Sequence, residues 1–599
     1  MKNLKTYFVL LSILFLKTGD SQSNFKIDNR TKFVIDSTYN KLIKKHKVIG
    51  ASIAIVDNNE IVYATGYGFS DREKLLKADE KTVYRIGSIT KSFTALSIMQ
   101  LQDKKIIDIN NSIKKYLPEL KIESRFNDNN QIYIKDILSH TSGLPSDVLN
   151  GFFCDSPPKI TWLIEELNKQ TTICPRQFLK AYSNVGYGLL GEMIARVSNL
   201  SYSNYVKENI FKQLQMTSSY IENDEQLNTN FSKAYLKNKV IKEPLIRDQA
   251  AGLIHSNVMD MSNYLKMYLN NGSFNSNKII SNEALIEMEK NQLDSVLLSG
   301  GANWGYGLYS QKALIKKDND SMIVTIIGHG GDTYAFHADF AFIKELNIGV
   351  VILTNTDNGV EMNDANKLLK QYIELTKVKK VTLNYTKTDT LKNQLINKIE
   401  ENCSESEIKG KYNFGNFLMN VDNTKNIKFK QGSATIKLSQ SKLNTNAYNL
   451  KAYLFHIVPI KIKGQEIQFV KFNNTIYIKQ VNQKSKKAIY AANKSAVIPI
   501  PNNWKSHFGN YKIVNNYFAC LNCPYGNAEG MKLALIEKDG FIFIKTKGKT
   551  PDTNNDLYLN MLSENTAVTG GIGRGTGETV RILENGNIYY SGFEFSKTK

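Results

Sequence analysis

Ile86-Gly87-Ser88-Ile89-Thr90-Lys91-Ser92-Phe93 is the stretch on which the reading of this chain turns. Phe93, Leu96, Met99 and Ile106 fall near helical spacing, so a helix is expected over residues 92–105. Helix positions i and i+3 share a face, which places the Lys91 amine within reach of the Ser88 hydroxyl. A serine is a weak nucleophile at neutral pH until a neighbour takes its proton. The start of a helix also presents unpaired backbone N–H groups and the positive end of the macrodipole. Both stabilise an oxyanion and oppose protonation of Lys91, which suits acyl transfer. Alone, the pattern is short, and a helix capped by a serine would satisfy it too. Its weight comes from the rest of the chain.

Two distant elements supply that weight. Tyr182-Ser183-Asn184 precedes Val185-Gly186-Tyr187-Gly188. A phenol beside an ammonium loses its proton more easily, so Tyr182 is expected to act as acid and base. Asn184 carries both a donor and an acceptor for a substrate amide. Gly328-His329-Gly330-Gly331-Asp332 follows the strand-like run Ile323 to Ile327. Its glycines let backbone approach a ligand closely. An edge strand of this kind pairs with an extended substrate, and His329 would face the pocket.

In this order the three elements resemble the serine β-lactamase and penicillin-binding-protein superfamily, in its class C β-lactamase and D-alanyl-D-alanine carboxypeptidase branch. The likeness spans roughly residues 30–376. It extends to Leu138–Pro145 (Leu-Ser-His-Thr-Ser-Gly-Leu-Pro), to Ala250–Leu253 with Ser256 and Asp260, and to Gly305–Leu308. The resemblance implies an α+β fold in which an antiparallel sheet is flanked by helices. It implies Ser88 as the acylated nucleophile, Lys91 as the group that shares or relays its proton, and Tyr182 as the acid and base for leaving group and water. Asn184, His329 and Gly331 would contact substrate, and the N–H groups of Ser88 and Asp332 would form the oxyanion hole. No cofactor and no metal is implied. His140, within Leu138–Pro145, is expected to be a packed structural histidine. His329 stands where many members carry a lysine in a K-T-G motif. A neutral imidazole holds a substrate carboxylate more weakly than an ammonium does. Esterase, amidase and D-amino-acid peptidase chemistry therefore come forward.

The chain has 599 residues, 42% of them hydrophobic, enough for several cores. Met1-Lys2-Asn3-Leu4-Lys5 and the apolar run Tyr7 to Leu16 have the form of a secretory signal, with residues 1–23 removed. Export to the periplasm or the medium of a bacterial cell is expected, and no later stretch reads as a membrane anchor. The five cysteines would then meet oxidising conditions. Cys520 and Cys523 read as a local disulfide or two thiols; Cys154 and Cys174 flank one segment and could pair. The formal charge of +21 forms no stripe with interleaved aromatics, so no nucleic-acid partner is expected. There is no G-x-S-x-G elbow around a serine and no H-E-x-x-H, which argues against an α/β-hydrolase and a metallohydrolase.

The catalytic region is placed at residues 24–376 and a linker rich in Lys, Thr and Asn at 377–400. A β-rich region follows at 401–599. Asp57-Asn58-Asn59-Glu60, Asp539-Gly540 and Asn585-Gly586 are hairpin signals. Gly410-Lys411-Tyr412 and Gly509-Asn510-Tyr511 open two similar strand-rich stretches, and one β domain or two small modules both fit. The glycines from Gly570 to Gly577 lack a following G-K-[ST] and read as a β-turn, not a phosphate loop. The expected function is an exported serine hydrolase acting through an acyl-enzyme on a small ester, amide or D-amino-acid peptide. The alternatives are a true β-lactamase or D-alanyl-D-alanine carboxypeptidase, and a non-catalytic envelope protein that binds cell-wall peptides.

Overall fold

A computed structural model describes residues 25–598, apart from 127–128, 222–229, 297, 300–302, 318, 384–399, 432–433, 442–446, 455–457, 461–463, 473, 484–487, 497, 516–531 and 548–555. The signal segment 1–23, most of the linker at 377–400 and the pair Cys520 and Cys523 lie outside the described residues.

An eight-stranded antiparallel sheet carries the catalytic region. Its strands run in the order Lys380–Thr382, Tyr309–Lys317, Asp320–Asp332, His337–Ile343, Ile348–Thr354, Gly50–Asp57, Glu60–Asp71 and Leu76–Lys77. Strand Gly50–Asp57 thus pairs with Ile348–Thr354, more than 250 residues later. The turn between Gly50–Asp57 and Glu60–Asp71 is built by Asn58 and Asn59, both with left-handed backbone (φ 50° and 63°). That conformation matches the twist of a two-residue hairpin.

Strand alternation sends residues to two cores. Val351 and Leu353 enter one with Ala54, Val56 and Phe340; Val350 and Ile352 enter the other with Ile53 and Ile55. The second core is covered by helices Asn29–His46 and Ala365–Thr376, which supply Ile35, Tyr39, Leu368 and Ile373. The first, larger core is covered by helices that include Thr90–Asp103, Asn184–Ser198 and Val258–Leu269. Helix Thr90–Asp103 is buried from Thr90 to Leu101, on every face. It is the centre of the helical layer, so its position is held by packing from all sides. The helix ends earlier than its apolar spacing predicts. Lys105 turns left-handed (φ 59°), and Ile106 lies beyond the end, 49% exposed.

After residue 400 the chain builds two further sheets. An antiparallel ten-stranded sheet occupies Glu401 to Ser495, and a closed eight-stranded barrel runs from Gly509–Ile513 to Phe593–Lys597. Pairing of Tyr511 with Lys597 closes the barrel around Trp504, Leu535, Ile544 and Phe595. Each sheet has its own Gly-x-Tyr strand, and Tyr412 and Tyr511 each donate to a carbonyl four residues back, at Ile408 and His507. Asp539 and Gly540 form a two-residue turn. Asn585-Gly586 instead sits in a five-residue connection, because Ile582 pairs with Ile588. Cys154 is a buried thiol that donates to the Gly151 carbonyl and is not joined to Cys174. Among the described residues, no helix is long and apolar enough to cross a membrane.

Both β bodies pack on the catalytic region. Phe472 and Tyr477 of the ten-stranded sheet share a cluster with Ile173, Leu179 and Leu298. From the barrel, Tyr589 donates to Glu166 Oε2 (2.9 Å), and the Gly592 carbonyl accepts from Asn150 Nδ2 (2.9 Å).

Candidate active site

Ser88 sits in a single 3-10 turn, Gly87–Ile89, directly before helix Thr90–Asp103. The turn packs against the end of strand Asp320–Asp332, and glycines make the approach feasible. Gly87 adopts φ +50°, and a side chain there would meet Asp332 N at 2.7 Å. A side chain at Gly331 would meet the Ile86 carbonyl at 2.0 Å and Ser88 N at 2.9 Å. The backbone amides of Ser88 and Asp332 are thereby brought to one spot. Buried Glu243 steadies the loop after Asp332, accepting from Thr333 Oγ1 (2.7 Å), Ala335 N (2.6 Å) and Arg85 Nη1 (3.2 Å).

Lys91 is fully buried. Its Nζ donates to the Ala251 carbonyl (2.7 Å) and lies 3.2 Å from Ser88 Oγ. Burial, then the charge of Arg574, hold its pKa well below the usual lysine value. The shift favours the neutral amine, whose lone pair can take the Ser88 proton. Tyr182 hydrogen-bonds Ser88, and the Lys91 Nζ lies 4.7 Å from its ring centre. The expected ease of ionising Tyr182 is reversed. Burial raises the phenol above its ordinary value, against the opposing pull of Ser88 and Arg574. Tyr182 holds its proton and can give it up only as a hydrogen-bonded donor.

Asn184 begins helix Asn184–Ser198, which Ser183 caps by accepting from Gly186 N. Its Nδ2 donates to Asp147 Oδ1 (2.7 Å), so its amide oxygen is the part left for a ligand. His329 is buried, with Nδ1 2.5 Å from the Gly330 carbonyl. A carbonyl only accepts, so Nδ1 carries the proton. Burial, then the neighbouring Lys91, lower the His329 pKa to about 3, and the ring is neutral. Nε2 is consequently a bare acceptor, buried without a protein partner. The ring thus offers an acceptor, not a cation, at this position. An acceptor repels a carboxylate and suits a substrate N–H or O–H. Asp332 itself points outward, its Oδ1 2.6 Å from His337 Nδ1. His140 is buried, accepts from Ser183 N (3.1 Å) and packs on Tyr182.

Ser88, Tyr182, Asn184, His329 and Asp332 line one cleft of about 490 Å³. Phe152, Phe153, Trp304, Tyr309 and Tyr334 give it apolar walls. A larger depression of about 680 Å³, lined by Asp103, Lys135 and Tyr306, contains none of the three motifs. Among the described residues, no group of three or more His, Cys, Asp or Glu side chains is placed to hold a metal ion.

One further lining residue was not anticipated. Arg574 comes from the barrel, in the glycine-rich connection between strands Thr566–Thr569 and Thr579–Ile582. Its Nη2 donates to Asp147 Oδ2 (2.9 Å), its guanidinium lies 5.3 Å from the Tyr182 ring centre, and the next amide, Gly575 N, donates to Ser146 Oγ (3.0 Å). The segment that receives it is fixed by Arg247, which donates to the carbonyls of Val148 and Asn150. The only sequence signal was a lone arginine among five glycines, which by itself reads as a turn.

Fold and cleft together define a serine-hydrolase fold of the β-lactamase and penicillin-binding-protein type. A family model described as Beta-lactamase matches residues 35–373, and the chain belongs to that family. It is 27% identical over 347 residues to Protein flp of Staphylococcus aureus, covering 56% of this chain and 64% of that protein. It is 29% identical over 321 residues to Beta-lactamase-like protein 2 of Dictyostelium discoideum, covering 47% of this chain and 56% of that protein. The chain thus spans under two thirds of these relatives. The octameric penicillin-binding protein homologue from Pyrococcus abyssi aligns with a TM-score of 0.49 at 23% identity, over 77% of this chain and all of that one.

Proposed function

We propose that the protein is an exported serine hydrolase working through an acyl-enzyme at Ser88 on a small ester, amide or D-amino-acid peptide. The observation that carries this reading is the 3.2 Å approach of the Lys91 amine to Ser88 Oγ, with Lys91 fully buried and its pKa pushed down by that burial. Ser88 Oγ attacks the substrate carbonyl as its proton passes to Lys91 Nζ. The new oxyanion is met by the N–H groups of Ser88 and Asp332. Tyr182, hydrogen-bonded to Ser88, gives its proton to the leaving group as the scissile bond breaks and is reprotonated from Lys91. Water then attacks the acyl ester, losing a proton to the Lys91 and Tyr182 pair, and that proton passes to Ser88 Oγ as the ester bond breaks. Asn184 accepts from the substrate's acyl-side amide. Gly331 lets the strand end lie against the nucleophile turn, and His329 Nε2 accepts from a substrate N–H or O–H. Export rests on the form of residues 1–23.

The test is covalent labelling of the purified protein by a fluorescent fluorophosphonate, together with turnover of a p-nitrophenyl ester. Both should be present in the wild type and absent in Ser88→Ala. Labelling or turnover that survives the substitution refutes the reading. A panel of nitrocefin and D-alanyl-D-alanine peptides separates a true β-lactamase or carboxypeptidase from a broader hydrolase. Binding to isolated cell wall without labelling would instead identify a non-catalytic binder.

A further inference from the structure

Among the described residues, the cleft lining has one fixed positive charge, and it is not on the catalytic region. Of the two basic side chains that line it, His329 is neutral and presents an acceptor. Lys91 lies behind Ser88, fully buried and not among the lining residues. Lys180 lies near, with Nζ 3.5 Å from the ring centre of Trp304, but it is not among the lining residues. Arg574 is left. Asp147 engages one guanidinium nitrogen, Nη2, and is shared with Asn184. The arginine side chain is 55% exposed and faces the cleft one aromatic ring away from Ser88. A guanidinium has five donors in a planar fork, so one carboxylate on Nη2 leaves an edge to bind another. Glu578, on the same connection, is buried, which with the charge of Asp147 raises its pKa to about 8. It adds no second negative charge at neutral pH.

We infer that the glycine-rich connection of the C-terminal barrel delivers Arg574 as the specificity-determining residue of the cleft, selecting substrates that carry a carboxylate beside the scissile bond. The glycines are what allow it. Gly573, Gly575 and Gly577 all have positive φ, and a side chain at Gly577 would meet the Ile173 carbonyl at 2.6 Å. The connection can therefore lie flat on the catalytic region while the Arg574 side chain reaches into the cleft. The inference rests on the acyl-enzyme reading for its kinetics, but not for binding.

Two thioesters with the same acyl group test it: N-benzoyl-D-alanyl thioglycolate, whose leaving group carries a carboxylate, and its neutral methyl ester. A hydrogen bond to a charged group corresponds to about a 10- to 100-fold preference in kcat/KM for the carboxylate. The wild type should show that preference, Arg574→Ala should bring the ratio close to unity, and Arg574→Lys should keep part of it. No preference in the wild type, or an unchanged ratio in Arg574→Ala, overturns the inference, even where both rates fall together. Calorimetric titration of Ser88→Ala with the same two compounds reads the preference without turnover. If the wild type cleaves neither thioester and escapes labelling, the acyl-enzyme reading fails. The titration, compared with that of the Ser88→Ala/Arg574→Ala double variant, still decides the anion site: equal binding of both compounds to Ser88→Ala refutes it.

Discussion

Replacing Gly331 with alanine tests whether the strand end and the nucleophile turn cooperate in catalysis. The added methyl would stand 2.0 Å from the Ile86 carbonyl oxygen and 2.9 Å from Ser88 N. Comfortable non-bonded contact needs about 3.5–4.0 Å, so the two backbones must part by more than about 1 Å. Neither is free to yield. Ile86 N donates to the Ile254 carbonyl (3.0 Å), and the strand is laddered to His337–Ile343 through Gly331 and Ala338. Parting them moves the Ser88 and Asp332 amides relative to each other. A misplacement of about 1 Å costs about 10²-fold, and loss of an oxyanion donor about 10²- to 10³-fold. Gly331→Ala should therefore lower kcat/KM for p-nitrophenyl acetate by about 10²- to 10³-fold, with a stability loss of about 1–3 kcal/mol from overpacking. Gly330 is the internal control. A methyl there meets nothing nearer than 3.9 Å, and the residue is exposed. Gly330 borders the same cleft, but its alanine adds a methyl without a clash, so Gly330→Ala should cost far less than Gly331→Ala. Initial rates and thermal denaturation of both variants make the comparison. Near-wild-type activity in Gly331→Ala, or equal losses in the two, would refute the reasoning.

Two further outcomes depend on charge state. Because Lys91 must be neutral to accept a proton and its pKa is held well below 10.5, kcat/KM for a neutral ester should rise with pH and be flat before that value. Arg574→Ala removes one cause of the depression and should move this limb to higher pH; a wild-type limb centred near 10.5 would show Lys91 to be an ammonium. Glu578 has a folded pKa of about 8, raised from 4.5 by burial first and Asp147 second. Folding therefore favours its protonated form, so its contribution is full below pH 4.5 and declines as pH rises toward 8. The loss is at most about 5 kcal/mol, and urea denaturation across that window should show a slope that Glu578→Gln flattens. An identical slope in the variant would place the titration elsewhere.

Much of the fold was legible because it is local. Asn58-Asn59 and Asp539-Gly540 dictate tight turns through their own backbone preferences, and the alternating strands announce their two faces. The helix after Ser88 was foreseen as well, though its apolar spacing ran on to Ile106, which the structure leaves past the helix end. Asn585-Gly586 misled because register is set by the pairing of Ile582 with Ile588, a matter for the whole barrel. Cys154 and Cys174 looked like partners in sequence, yet Cys154 spends its thiol on Gly151.

Ser88 and Lys91 needed only the chain around them, since one helical turn brings a hydroxyl and an amine together whatever the fold. Their protonation states did not follow from it. Whether Lys91 is an ammonium or an amine, and whether Tyr182 holds its proton, depends on how much water the surrounding helices exclude and on a cation 483 positions after Lys91. Arg574 lies in a run of glycines that says nothing about where it points. Only the closure of the barrel, and its seat against Asp147 and Ser146, carries that charge to the serine, because electrostatic fields act through space and not along the chain.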